Sequence, residues 1–251
     1  MNGQIIEPGV WTEHFTVHSY DVDFKHAASL EALCRYFLEA AWNHAEALGV
    51  GFKNLLSQKK VWVLSRLLVK LERCPRWGDA VVLKTWPRLS TQVLALRDFE
   101  MLTPLGAPLA AGTSAWLVLD ATTRKPQRLG KILSALGTLS GRRVLDTNPA
   151  KLTAFDAGSE VLRARVRYSD IDLNGHVNSA RYIGWIFDSY SLEFHAAHFA
   201  SLCEVNYLGE TLAGSEISMR SNESVPGHFS HSLTKPSGDE VCRARVKWIK
   251  I

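Results

Sequence analysis

One short polar motif occurs twice in the chain, each time just ahead of a stretch with helical apolar spacing. Tyr20-Asp-Val-Asp-Phe-Lys-His26 resembles Tyr168-Ser-Asp-Ile-Asp-Leu-Asn-Gly-His176. After the first copy, Leu30, Leu33, Cys34, Phe37, Leu38, Ala41, Ala45 and Leu48 recur at the three-to-four spacing of one helix face, with Ser29 placed to cap the start and Gly49 to stop it. After the second, Val177, Tyr182, Ile183, Ile186 and Phe187 form the same kind of stripe, and the helix is expected to run to about Ala200. A repeat of this kind makes an internal duplication the economical reading.

Each helix is followed by strands. Residues 61–72, 79–86, 91–102 and 109–120 carry strand patterns in the first half, after an alternating segment at 11–18. In the second half, Val161-Leu-Arg-Ala-Arg-Val-Arg-Tyr168 alternates as a strand before the motif, and strands are expected near 203–208, 214–221, 228–234 and 240–250. The segment from Val69 to Asp79 lies over Val205 to Ser215. One long helix followed by an antiparallel meander is an α+β pattern. Two such units would pair as a pseudo-dimer about an approximate two-fold axis. Residues 134–155 have little periodicity and many turn formers, so the domains are set at 1–140 and 156–251, with a linker at 141–155.

The second motif is the richer in chemistry. Asp170, Asp172, Asn174, His176 and Asn178 alternate along it, and Gly175 marks a tight turn that aims side chains inward from a strand end. Carboxylate, amide and imidazole beside a buried helix make an acid–base site. In the overlay Glu210 falls on Cys74, while Asn174 and His176 have only Phe24-Lys25-His26 opposite them. One site per chain is therefore expected, built mainly from the second unit. The competing reading is structural, with Asp and Asn capping the helix start and His176 a satisfied core histidine.

Several classes fall away. The Asp-x-Asp-x-Asn-Gly run from Asp170 resembles a calcium loop, but its twelfth position is Arg181 where a bidentate glutamate is needed. The remaining histidines lack metal-ligand spacing, so no metal is expected, and there is no dinucleotide fingerprint, phosphate loop or Gly-x-Ser-x-Gly elbow. No cofactor is called for. The net charge of +4 comes without an aromatic-interleaved basic stripe, which argues against nucleic acid as a partner. No apolar run approaches the ~20 residues that span a bilayer, and the N-terminus shows no secretory signal. The four cysteines are far apart, without a Cys-x-x-Cys pair, which suits free thiols in a reducing compartment, by default the cytoplasm.

Asp172-x-Asn-x-His-Val-Asn-x-x-x-Tyr-Ile-Gly-Trp185 resembles the signature of acyl-acyl-carrier-protein thioesterases, the plant type and their bacterial relatives. Trp62-Val-Leu-Ser-Arg66, Pro75-x-Trp-Gly-Asp79, Thr85-Trp-Pro87 and Arg124-Lys-Pro-x-Arg128 are similar to that family's motifs in the same order. The resemblance implies two fused hot-dog domains, each a long helix wrapped by an antiparallel sheet. It implies hydrolysis of the thioester joining a fatty acyl chain to the phosphopantetheine of an acidic carrier protein, with Asp172, Asn174, His176 and Glu210 as the catalytic set. It leaves open which carboxylate is the base. Asn174 and a backbone N–H near Val177 are the expected oxyanion donors. Plant members carry a cysteine directly after the glutamate where this chain has Thr211, and Cys203 has no matching role. The acyl chain is expected between the first helix and its sheet, with Trp185 lining the channel near the site. Acyl-coenzyme A hydrolysis, a dehydratase that leaves the thioester intact and a silent carrier-binding module are the rivals; a homodimer is compatible with all of them.

Overall fold

Ser29 and Asn178 open the two long helices. The Ser29 hydroxyl accepts from the Ala32 N–H at 3.2 Å, and the Asn178 side-chain oxygen from the Ala180 N–H at 2.9 Å. Each cap satisfies a donor that the first helical turn leaves over. The computed structural model describes residues 3–88, 91–137, 142–155 and 158–251, and the chain divides into two units at Pro149/Ala150.

The N-terminal unit runs β1 (Gln4–Glu7), β2 (Val10–Thr16), α1 (Leu30–Ala47), α2 (Phe52–Leu56), β3 (Lys60–Leu71), β4 (Ala80–Arg88), β5 (Leu94–Leu102), β6 (Pro108–Asp120), β7 (Pro126–Gln127) and α3 (Lys131–Leu136). Its strands pair antiparallel in the order β1-β2-β4-β5-β6-β3, with β7 added to β6. Helix α1 lies against β2 and β4. The Phe37 ring stacks on Phe99 of β5 at 4.8 Å between centroids, directly over Gly112 of β6. A Cβ on Gly112 would come within 2.8 Å of Phe37, so the absence of a side chain sets how close helix and sheet approach. Towards its C-terminal end the helix meets a buried polar group: His44 Nδ1 lies 3.0 Å from the Arg97 guanidinium, which also donates to the Thr85 hydroxyl.

The C-terminal unit runs β8 (Ser159–Arg165), α4 (Ser179–Asp188), α5 (Leu192–Ala197), β9 (His198–Tyr207), β10 (Glu216–Val225), β11 (His228–Thr234) and β12 (Glu240–Lys250). The antiparallel order is β9-β12-β11-β10-β8. Helix α4 is tied to the sheet by the Tyr207 hydroxyl, which donates to the Ser179 carbonyl at 3.0 Å, and by Phe187 packed on Trp248. The expectation of one helix reaching Ala200 is corrected. The Ser189 hydroxyl back-bonds to the Ile186 carbonyl at 2.7 Å and ends α4, Ser191 recaps a short α5, and strand β9 already begins at His198.

The expected linker is not slack. Its described part up to Pro149 is bound to the N-terminal unit, where the Val144 N–H donates to Asp98 at 3.1 Å and Arg66 to the Pro149 carbonyl at 3.3 Å. Leu152 is bound to the C-terminal unit through Asn206 and Arg243. Residue 141 of this stretch lies outside the described residues.

Candidate active site

The turn between the strand end and α4 is built by its own backbone. The Asp172 N–H donates to the His176 carbonyl at 2.8 Å and the Gly175 N–H to the Asp172 carbonyl at 3.0 Å. Closing the loop so tightly requires φ of +79° at Gly175, a conformation that costs glycine nothing. Asp172 Oδ1 accepts from the Asn174 N–H at 2.8 Å, an Asx turn that stiffens the same loop. One step earlier, the buried Asp170 accepts from the Arg167 N–H at 2.7 Å and from Arg181 of α4 at 2.9 Å. Its carbonyl takes the Asn178 N–H, which anchors the helix start to the turn.

Glu210 reaches this turn from the end of β9. The Val177 N–H donates to the Thr211 carbonyl at 2.9 Å, so the residues immediately preceding each, His176 and Glu210, stand side by side. His176 Nε2 lies 3.1 Å from Glu210 Oε2, with both side chains partly open to solvent. Of the four residues expected in the site, His176 pairs with Glu210 and Asp172 with Asn174, whose amide nitrogen lies 3.5 Å from Asp172 Oδ2. The Asp172–His176 backbone bond joins the two pairs. Near Val177, where a backbone N–H is expected as an oxyanion donor, the N–H of Val177 is committed to Thr211 and that of Asn178 to Asp170.

The cysteines offer no nucleophile here. Burial pushes the Cys203 thiol up to about 12, and Cys242 is also buried and raised. Thr211, where the resemblance places a cysteine in plant members, is fully buried and accepts from the Tyr182 hydroxyl at 2.9 Å. Apolar spacing groups Tyr182 with the buried stripe of α4, yet a buried tyrosine hydroxyl also needs a partner.

The N-terminal unit repeats the scaffold bond for bond. Asp23 N–H donates to Ala27 O, His26 N–H to Asp23 O, Ser29 N–H to Asp21 O, and Ala28 N–H to Pro75 O, each at 2.8–2.9 Å. Asp23 Oδ1 accepts from the Lys25 N–H as Asp172 does from Asn174. This register places Lys25 at Asn174, His26 at Gly175, Ala27 at His176 and Cys74 at Glu210. His26, not Ala27, was expected nearest His176; its φ of +59° identifies it instead as the counterpart of Gly175.

A helix set against an antiparallel sheet, twice in one chain, with one polar turn still furnished with a histidine–glutamate pair, defines a tandem hot-dog protein. Residues 8–135 match the model of the acyl-ACP thioesterase N-terminal domain and residues 154–250 that of the C-terminal domain, and the chain belongs to the acyl-ACP thioesterase family. It is 30% identical, over 98% of its length, to the chloroplastic palmitoyl-acyl carrier protein thioesterase of Gossypium hirsutum, of which it spans 65%. The chain thus spans just under two thirds of that curated relative. Its structure is similar to that of an acyl-ACP thioesterase from Bacteroides thetaiotaomicron (TM-score 0.89, 26% identity, 96% of this chain and 98% of that one). It is also similar to the 12:0-ACP thioesterase of Umbellularia californica (TM-score 0.86, 25% identity, 98% and 99%).

Proposed function

We propose that this protein hydrolyses the thioester between a fatty acyl group and the phosphopantetheine arm of an acidic acyl carrier protein, releasing the free acid. The observation that carries the reading is the 3.1 Å approach of His176 and Glu210 in the C-terminal unit of a chain from this family. The proposed catalytic set is Asp172, Asn174, His176 and Glu210.

A thioester carbonyl is electrophilic and its thiolate a good leaving group, so a positioned water suffices as nucleophile. An ionised Glu210 accepts from the His176 Nε2–H, which fixes that proton and holds the imidazole in one orientation. A carboxylate takes the proton of the attacking water as the C–O bond forms. Glu210 is assigned this step, because its carboxylate lies 3.1 Å from the His176 imidazole that orients it, while Asp172 closes the turn through the Asn174 N–H. The proton taken from water then goes to the departing sulfur as the C–S bond breaks, with His176 holding the carboxylate in place through its Nε2–H, and the exposed Asn174 amide donates to the developing oxyanion. The acyl tail is assigned to the N-terminal unit. The cytoplasm is part of the same proposal, supported by four cysteines that are free thiols.

The test is incubation with one series of acyl chains presented both on carrier protein and on coenzyme A, scoring free acid. Faster release from the carrier supports the proposal, and faster release from coenzyme A replaces the substrate. A thioester that stays intact throughout overturns hydrolysis in favour of a dehydratase or a binding module.

A further inference from the structure

Glu210 is held opposite His176 from two directions, and only one of them belongs to the fold. The first is the main-chain bond from the Val177 N–H to the Thr211 carbonyl, which the N-terminal unit reproduces between Ala28 and Pro75. The second is a side-chain bond. Tyr182, the fourth residue of α4, donates its hydroxyl to Thr211 Oγ1 at 2.9 Å. At the matching places the N-terminal unit has Leu33, the fourth residue of α1, and Pro75, which have no hydroxyl to share. The unit with the hydroxyl pair is also the unit with His176 and Glu210; the unit without it has Ala27 and Cys74 there.

We infer that Tyr182 and Thr211 are positioning residues, which fix the chain at Glu210 so that its carboxylate stays within hydrogen-bond reach of His176. The inference rests on the hydrolytic reading of that pair. Thr211 is 0% exposed and Tyr182 4%, so neither meets a substrate, and their effect passes through the glutamate. Tyr182 is also clamped edge-on between the rings of Trp185 and Tyr207, which makes it a rigid post. Burial pushes its hydroxyl up to about 12, so it remains a proton donor across the working pH range. The bland alternative is that a buried tyrosine has merely found an acceptor. In that case its loss costs stability and leaves the chemistry of folded molecules alone.

The experiment compares Tyr182→Phe, Thr211→Val and Thr211→Ser, in the wild-type and Glu210→Gln backgrounds, measuring kcat, KM and the melting temperature with an acyl-carrier substrate. A small displacement of a reacting group costs up to about 100-fold. Y182F and T211V are therefore expected to lose roughly 10- to 100-fold in kcat, with KM little changed. T211S, which keeps the hydroxyl, is expected to recover most of the loss. In the E210Q background the same substitutions are expected to cost little further turnover, because residues acting through one group are not additive. Where T211V fails to fold, Y182F leaves the threonine in place and carries the test. Folded Y182F with wild-type kcat beside an impaired E210Q overturns the inference alone. An undiminished loss in the E210Q background does the same. E210Q at wild-type turnover overturns the hydrolytic reading and the inference with it.

Discussion

Cys74 occupies in the N-terminal unit the position that Glu210 occupies in the C-terminal unit. Each directly precedes the residue whose carbonyl accepts the N–H at the foot of the long helix, from Ala28 at 2.8 Å and from Val177 at 2.9 Å. Burial raises the Cys74 thiol to about 11, so it offers neither a thiolate nor a carboxylate at neutral pH. One backbone frame thus holds an acid–base pair in one copy and an inert pair, Ala27 and Cys74, in the other.

Removing either member of the pair should therefore strike chemistry rather than folding. His176→Ala and Glu210→Gln are expected to lower kcat by about 100-fold or more. Both side chains are partly exposed, so melting temperatures should move little. Steady-state hydrolysis of an acyl-carrier substrate, with melting curves alongside, measures both.

The buried aspartates should behave in the opposite way. Asp170 accepts from Arg167 and Arg181, and Asp21 accepts from the His18 N–H and from the Tyr36 hydroxyl at 2.6 Å. Two different helix side chains have converged on the same acceptor, which marks it as part of the frame. Asp170→Ala and Asp21→Ala are each expected to cost about 2 kcal/mol, since they strand a buried or charged donor. Urea titration reads the loss, and Asn at either position should retain part of the stability.

Acid should weaken the fold through two buried histidines. Burial lowers His231 to about 4, and burial together with the nearby Arg97 lowers His44 to about 3, both from 6.5. Between pH 6.5 and 4 the unfolded chain binds protons that the folded chain refuses. Stability is therefore fully present above pH 6.5 and is lost as pH falls through that window. For His231 alone the change is on the order of 3 kcal/mol. Denaturant midpoints at pH 7.0, 5.5 and 4.5 should decline in that order, and a flat series would refute the assignment.

Two glycines should respond differently to a side chain. Gly112→Ala sets a methyl against Phe37 and the Leu68 carbonyl, and is expected to cost about 1–3 kcal/mol. At Gly175 nothing lies within 4 Å of an added Cβ, so only the positive φ opposes substitution. Gly175→Asn is expected to cost about 1 kcal/mol or less, as the presence of His26 in the same conformation indicates. Melting temperatures of the two variants provide the comparison.

The amino-acid pattern by itself determined a good deal. The three-to-four spacing from Leu30 to Leu48 and the capping serine defined α1, because amphipathic periodicity and caps are local properties. The two polar motifs and the Val69/Val205 overlay exposed the duplication, and with it the match of Cys74 to Glu210. Neighbouring residues in a turn were legible for the same reason. Tertiary structure alone decided the remainder. Only folding brings Glu210 to 3.1 Å from His176, across 34 residues of chain, through a hydrogen bond between their successors. It spends the Val177 N–H that spacing left available, and it ends α4 at Asp188 with a serine back-bond that apolar periodicity does not register. It also turns Tyr182 from one more buried aromatic into a donor for Thr211, because a hydroxyl's partner is set by which chains meet in space and leaves no mark on the spacing of residues along one of them.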